Sequence, residues 1–163
     1  MAMIANKWNS LAIAALLIAV SPAATAQGSS GLAVKIDLEK TAPAAEGRPA
    51  TKTYVAPDVV VPGDRVRVTL NFTNDRAAPV AGVKLVNPIP DGLTFDDTAD
   101  TSGFSVSIDG GKTFDALTAL TVPVAGAAPR TAAKADVTHV RWLWSDAIAP
   151  GQSRSVAFFG RVK

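Results

Sequence analysis

Four aspartates crowd one stretch of this chain, Asp91, Asp96, Asp97 and Asp100, and carboxylates at that density can supply the hard oxygen ligands that calcium takes. The stretch lacks the alternating register and closing bidentate glutamate of a dedicated calcium loop, so a solvated acidic loop is the simpler expectation. A second constellation runs Ser107-Ile108-Asp109-Gly110-Gly111-Lys112-Thr113-Phe114. Its order is that of a stapled hairpin, in which the aspartate caps backbone donors of the turn and the aromatic packs beneath. His139 is the only histidine and cysteine is absent. A zinc site wants about three protein ligands, and a nucleophilic serine or threonine wants an oriented base, so this inventory offers neither a metal centre nor a catalytic residue. No cofactor is expected. Trp142 and Trp144 would line a sugar platform if their shared strand face were open, but Val140 on that face places them in the core.

These residues must be held by strands. Val66, Val68, Leu70 and Phe72 alternate with Arg65, Arg67, Thr69, Asn71 and Thr73, a period of two that puts all the apolar side chains on one face. Pro62-Gly63-Asp64 before that run and Asn74-Asp75 after it supply turn chemistry. Leu32, Val34, Ile36 and Leu38 make a first strand of the same kind, followed by residues 41–53 as a long connection without periodicity. Tyr54 to Val61, interrupted by Pro57, suits an edge strand. Val83 and Leu85 continue as a partner strand, and Leu93 to Phe95 begins another. Phe104 to Ile108 and Thr113 to Thr121 read as two arms of a hairpin, and Val124 to Ala135 as a loop broken by Gly126 and Pro129. Val137 to Trp144 and Ser155 to Val162 close the chain. Seven to nine short strands at this spacing predict an all-β fold, an immunoglobulin-like antiparallel β-sandwich.

Residues 1–26 carry Lys7, an apolar run from Leu11 to Val20 and small residues at Ala24 and Ala26, the order of a secretory signal peptide cleaved before Gln27. Residues 27–163 then form one domain, exported to the periplasm, the extracellular space or the cell surface. No second apolar run follows, so no membrane span is expected after cleavage. The formal net charge of +2 gives no reason to expect nucleic acid. Without cysteine, an exported domain must be held by its core and strand pairing alone.

The order P-G-D, alternating strand, N-x-x-x-x-P, strand, P-I-P-x-G-L-x-F, W-x-W, A-P-G-Q-S and a final V-x-F strand resembles the repeat domain called domain of unknown function 11, over Val61 to Lys163. The resemblance implies an immunoglobulin-like sandwich from prokaryotic surface proteins, often found in tandem stalks or in cell-wall and filament assemblies. It brings no catalytic residues. Pro62, Gly63, Asn74, Pro88, Pro90, Gly92, Trp142, Pro150 and Gly151 match its landmarks and read equally as turn and core residues. The stapled hairpin resembles the Asp-box of propeller-shaped glycosidases, but those enzymes use several boxes on a longer chain, so here it is expected to be structural.

The leading expectation is a non-catalytic structural or interaction module that assembles with itself or with another envelope protein. The first strand (Leu32, Val34, Ile36, Leu38) is one candidate contact, either paired within its own sheet or donated to a neighbour's. Leu143 and Phe159, which alternate away from the core, are the other. The alternative is a periplasmic or surface module that binds a glycan or calcium through the loop from Asp91 to Asp100.

Overall fold

Val66, Val68, Leu70 and Phe72 are buried, and the residues between them turn to the opposite face of strand β3 (Arg65–Thr73). This is the predicted period of two, seen in a computed structural model that describes residues 31–44 and 50–163. Around β3 lie β1 (Gly31–Ala42), β2 (Thr51–Val55), β5 (Leu93–Thr98) and β10 (Ser153–Val162), in a five-stranded sheet ordered β2-β1-β3-β10-β5. Facing it is a three-stranded sheet of β4 (Val83–Pro88), β6 (Phe104–Ser107) and β9 (His139–Trp144), ordered β4-β9-β6. All the pairings are antiparallel. The fold is the expected all-β sandwich, with ten strands among the described residues, eight of them in the two facing sheets.

The inner faces meet over Trp142 and Phe158, both wholly buried, with Val140, Leu70, Val106 and Leu85 around them. Two aromatic contacts fix how the sheets overlie. Phe72 of β3 meets Trp144 of β9 with ring centroids 6.4 Å apart, and Phe95 of β5 meets Phe104 of β6 at 5.9 Å. β9 therefore lies beneath β3 and β6 beneath β5, which leaves β4 on the β1 side of the smaller sheet. The Trp142 indole N–H is satisfied by donating to the Asp100 carbonyl at 2.7 Å. Buried Asn74 closes the end of β3: its amide donates to the Ala78 and Ile148 carbonyls, and its side-chain oxygen accepts from the Arg76 N–H. Gly103, at φ +68°, packs so tightly on Leu143 that a Cβ would collide with its carbonyl oxygen.

Several segments differ from expectation. β1 runs on to Ala42 and pairs it with Thr51, so the connection is confined to residues 43–50 and not 41–53; of these, 45–49 lie outside the described residues. The edge strand is Thr51–Val55, earlier than Tyr54 to Val61, because Pro57 cannot donate to a ladder. Thr113 to Thr121 is not the second arm of a hairpin. The Asp109 carboxylate captures the Lys112 and Thr113 amides, and the chain touches β6 only through the single bridge between Val106 and Asp115 before a 3₁₀ turn at Leu117–Ala119. Val124 to Ala135 is not a plain loop either. Gly126, at φ +72°, turns a separate ribbon of β7 (Thr121–Val124) and β8 (Ala127–Thr131). The expected signal peptide, residues 1–26, lies outside the described residues, and no described helix is long and apolar enough to cross a membrane.

Core and periphery should respond differently to truncation. Leu70→Ala is expected to lower unfolding stability by about 2–5 kcal/mol, whereas Val34→Ala, on the half-exposed part of β1, should stay within about 1 kcal/mol. Urea unfolding followed by tryptophan fluorescence measures both.

Candidate functional site

β1 buries the wrong face. Opposite residues of an antiparallel pair point the same way, and Leu32, Val34 and Ile36 lie opposite Phe72, Leu70 and Val68, so all six point toward the core side of the sheet. The three β3 residues are buried, yet Leu32, Val34 and Ile36 remain 47%, 52% and 42% exposed. The larger sheet is five strands wide and the smaller one three, and no β1 residue belongs to the central core cluster. Of the apolar side chains of β1 only Leu38, level with Val55 and Val66, is buried.

The opposite face of β1 is exposed at Ala33 and Lys35 and is covered only further along, at Asp37 and Glu39. The Asp37 side chain is 1% exposed and that of Glu39 6%, beneath a layer of cations and aromatics on the outer face of the larger sheet. Arg65 donates to Glu39 at 2.7 Å and to Asp96 at 2.6 Å, and its guanidinium lies 3.9 Å from the centroid of the Phe159 ring. Arg67 donates to Asp37 at 3.2 Å and stacks 3.7 Å from the Tyr54 ring centroid. Lys52 pairs with Glu39, Lys35 with Asp37, and Lys134 with Asp96. Asp96 reaches this layer through a bulge: Phe159 pairs with Asp97 and Gly160 with Phe95, so the ladder skips Asp96 and its carboxylate is re-aimed at Arg65. Burial alone would raise the Glu39 and Asp96 carboxyls, but it is outweighed by hydrogen bonds from Lys52 and Arg65 on Glu39 and from Arg65 and Lys134 on Asp96, which hold both below their usual range. Asp37 is lowered by Lys35, and further by Arg67.

The edge of β1 is as unusual as its face. β2 pairs only with Leu38–Ala42, and Ala56 and Pro57 then take the chain out of the ladder. Among the described residues nothing pairs with the outward edge of Gly31–Asp37. That half-strand therefore combines free backbone donors and acceptors with an uncovered apolar stripe. The segment has no proline or bulge, and its one cation, Lys35, is paired with Asp37 at 3.0 Å, so the usual guards of an edge strand are missing.

The other candidates are arranged differently. Leu143 and Phe159 do not form one outer surface. Leu143 is exposed on the far side of the smaller sheet, whereas Phe159 belongs to the larger sheet and is half-buried between Arg65 and Tyr54. The four aspartates are engaged separately: Asp96 by its cations, Asp97 by the Thr98 N–H at 2.8 Å, and Asp100 by the Ala157 N–H at 2.7 Å, while the Asp91 carbonyl accepts from Lys163. Among the described residues no group of three or more acidic, histidine or cysteine side chains is placed to hold a metal ion. Asp109 staples its hairpin as the sequence suggests, accepting from Ser107, Thr113 and the Lys112 N–H, which holds its carboxyl far below the usual range. A cleft of about 450 Å³ beside it also contains Asp136, which Arg130 grips through two 2.7 Å hydrogen bonds. That grip, with the Ala133 N–H, lowers the Asp136 carboxyl to about 2. Glycoside hydrolysis needs one carboxyl kept protonated near neutrality, and both of these are pulled the opposite way.

Comparison with family models, curated proteins and solved structures returned no match to the chain. The inverted strand was only half legible beforehand. Its alternation was plain, but the acids at 37 and 39 and the arginines at 65 and 67 had to be placed on one face before their pairing became visible.

Because Asp37, Glu39 and Asp96 are all held below their unfolded values, their contribution to stability is complete above about pH 5 and is lost as pH falls through the lowered folded values. Arg65→Gln is expected to cost roughly 1–3 kcal/mol at pH 7 and to flatten the acid limb. Urea midpoints at pH 7 and pH 3 for both proteins check the magnitude and the sign.

Proposed function

We propose that this protein is an exported, non-catalytic interaction module of the cell envelope or extracellular space, and that it recruits an extended strand from a partner to the N-terminal half of β1. The observation that carries the reading is the coincidence of the unpaired edge Gly31–Asp37 with the exposed stripe Leu32, Val34 and Ile36. In strand addition, main-chain hydrogen bonds supply much of the affinity and alternate side chains the selectivity, and both kinds of group are offered here. Covering the exposed halves of three aliphatic side chains would contribute roughly 2–4 kcal/mol. The outer ion-pair layer supports an accepting rather than a donating role, since Arg65 and Arg67 pin β1 to β3.

Three further lines support the reading. The leader-like residues 1–26 favour export, and the cysteine-free sandwich is compatible with either a reducing or an oxidising compartment. The resemblance to domain of unknown function 11 favours a surface assembly. The ionised, fully engaged Asp109 and Asp136 favour a role without acid catalysis.

The test uses residues 27–163 co-sedimented with envelope fractions. Val34→Lys is expected to weaken binding at least tenfold while moving the melting temperature by less than about 3 °C, and Leu143→Lys should leave binding unchanged. Binding that is lost with Leu143→Lys and kept with Val34→Lys would move the contact to the smaller sheet. A melting temperature raised by calcium and abolished by Asp97→Asn would favour the acidic stretch instead.

A further inference from the structure

We infer that the partner strand is β1 of a second copy, paired antiparallel across a two-fold axis at Val34. The inference rests on the strand-accepting reading above and identifies the partner. Leu38 is already paired with Val55, which bounds the free edge on one side, and the described residues of that edge begin at Gly31. Val34 is the midpoint of Gly31–Asp37 and of the stripe Leu32, Val34 and Ile36, so a symmetric pairing centred there sets the three aliphatic side chains of each copy opposite those of the other. Leu32 then lies opposite Ile36 of the other copy, Ala33 opposite Lys35, Gly31 opposite Asp37, and Val34 opposite itself. Two stripes of three aliphatic side chains become one of six, and the same patch serves both copies, as a closed two-fold interface requires.

Charge selects this register over its neighbours. A two-fold axis normal to the sheet allows only shifts that keep each side chain on its own face. Centring on Lys35 would set two ammonium groups directly opposite one another, which is destabilising. Centring on Ala33 would place Ile36 beyond Gly31, opposite no aliphatic side chain of the stripe, and centring on Ile36 would run Val34 into the position that Val55 occupies at Leu38. At the Val34 register no like charges are opposed, and each Lys35 keeps its own Asp37 partner at 3.0 Å. β2 ends at Val55, so it supplies no ladder partner opposite Asp37, where Gly31 of the second copy would pair.

The contact is small. The half-exposed aliphatics and one seven-residue edge fall below the ~800 Å² per partner of a standard interface, so the dimer is of the weak, concentration-dependent class, with Kd on the order of 1–100 μM.

The natural absence of cysteine makes the test direct. Opposed residues of an antiparallel pair have Cα atoms about 4.5–5.5 Å apart, within disulfide reach. Under mild oxidation, Val34→Cys is expected to give a disulfide-linked dimer at least tenfold faster than Val59→Cys, an exposed control off the strand, and Lys35→Glu on the Val34→Cys background should leave the linkage in place. Sedimentation of the unmodified protein should show reversible dimerisation that Val34→Lys abolishes. Cross-linking of Val34→Cys no faster than the control, with a monomer up to several hundred micromolar, overturns self-pairing. If the Val34→Lys protein then still loses envelope binding, the strand-accepting reading survives with a different partner; if it keeps that binding, both fail.

Discussion

The structure depends on a mismatch of widths. Five strands packed on three leave part of the larger sheet without a full second layer, and β1 there buries two acids, Asp37 and Glu39, on its outer face. An aspartate and a glutamate on β1 are covered by two arginines that are themselves stacked on Phe159 and Tyr54, while three aliphatic side chains are left half in water. Arginine suits this arrangement because its planar guanidinium can donate to a carboxylate in its plane and lie flat on an aromatic ring at the same time. The ion-pair layer thus anchors the β1–β2 hairpin with little help from the core, and it leaves the apolar stripe available.

That inversion links stability to recognition. Had Leu32, Val34 and Ile36 been drawn into the core, β1 would be an ordinary inner strand with nothing to offer. Had the outer face been only weakly charged, the hairpin would be held by backbone pairing alone and would be prone to exchange. The ion pairs at Asp37 and Glu39 tie β1 to β3 next to the free half-strand, and in the proposed role an edge held in register would lose less entropy on binding than a flexible one.

Much of the fold was legible because it rests on short-range rules. The alternation from Val66 to Phe72 and the Trp142–Trp144 face read correctly, since one-sided burial enforces a period of two. Failures came where a side chain overrode the local pattern. Asp109 captured amides that a second hairpin arm would have used, and Gly126 turned an alanine-rich stretch into a ribbon. Leu143 and Phe159 were expected on one surface because alternation reports a face, not which sheet the face belongs to. The candidate site was legible as an apolar stripe on the first strand. Its exposure was not, because exposure depends on how many strands the opposite sheet contains, and no local pattern encodes that number.

The most direct measurement is residue-resolved amide hydrogen exchange of residues 27–163 across protein concentration. In dilute solution, the outward amides of Gly31–Asp37 should exchange rapidly while those of β3 are protected, and raising the concentration into the hundreds of micromolar should slow exchange in Gly31–Asp37 alone. Outward amides that are already protected in dilute solution would contradict the open edge, and rates unchanged by concentration would contradict its pairing with a second copy.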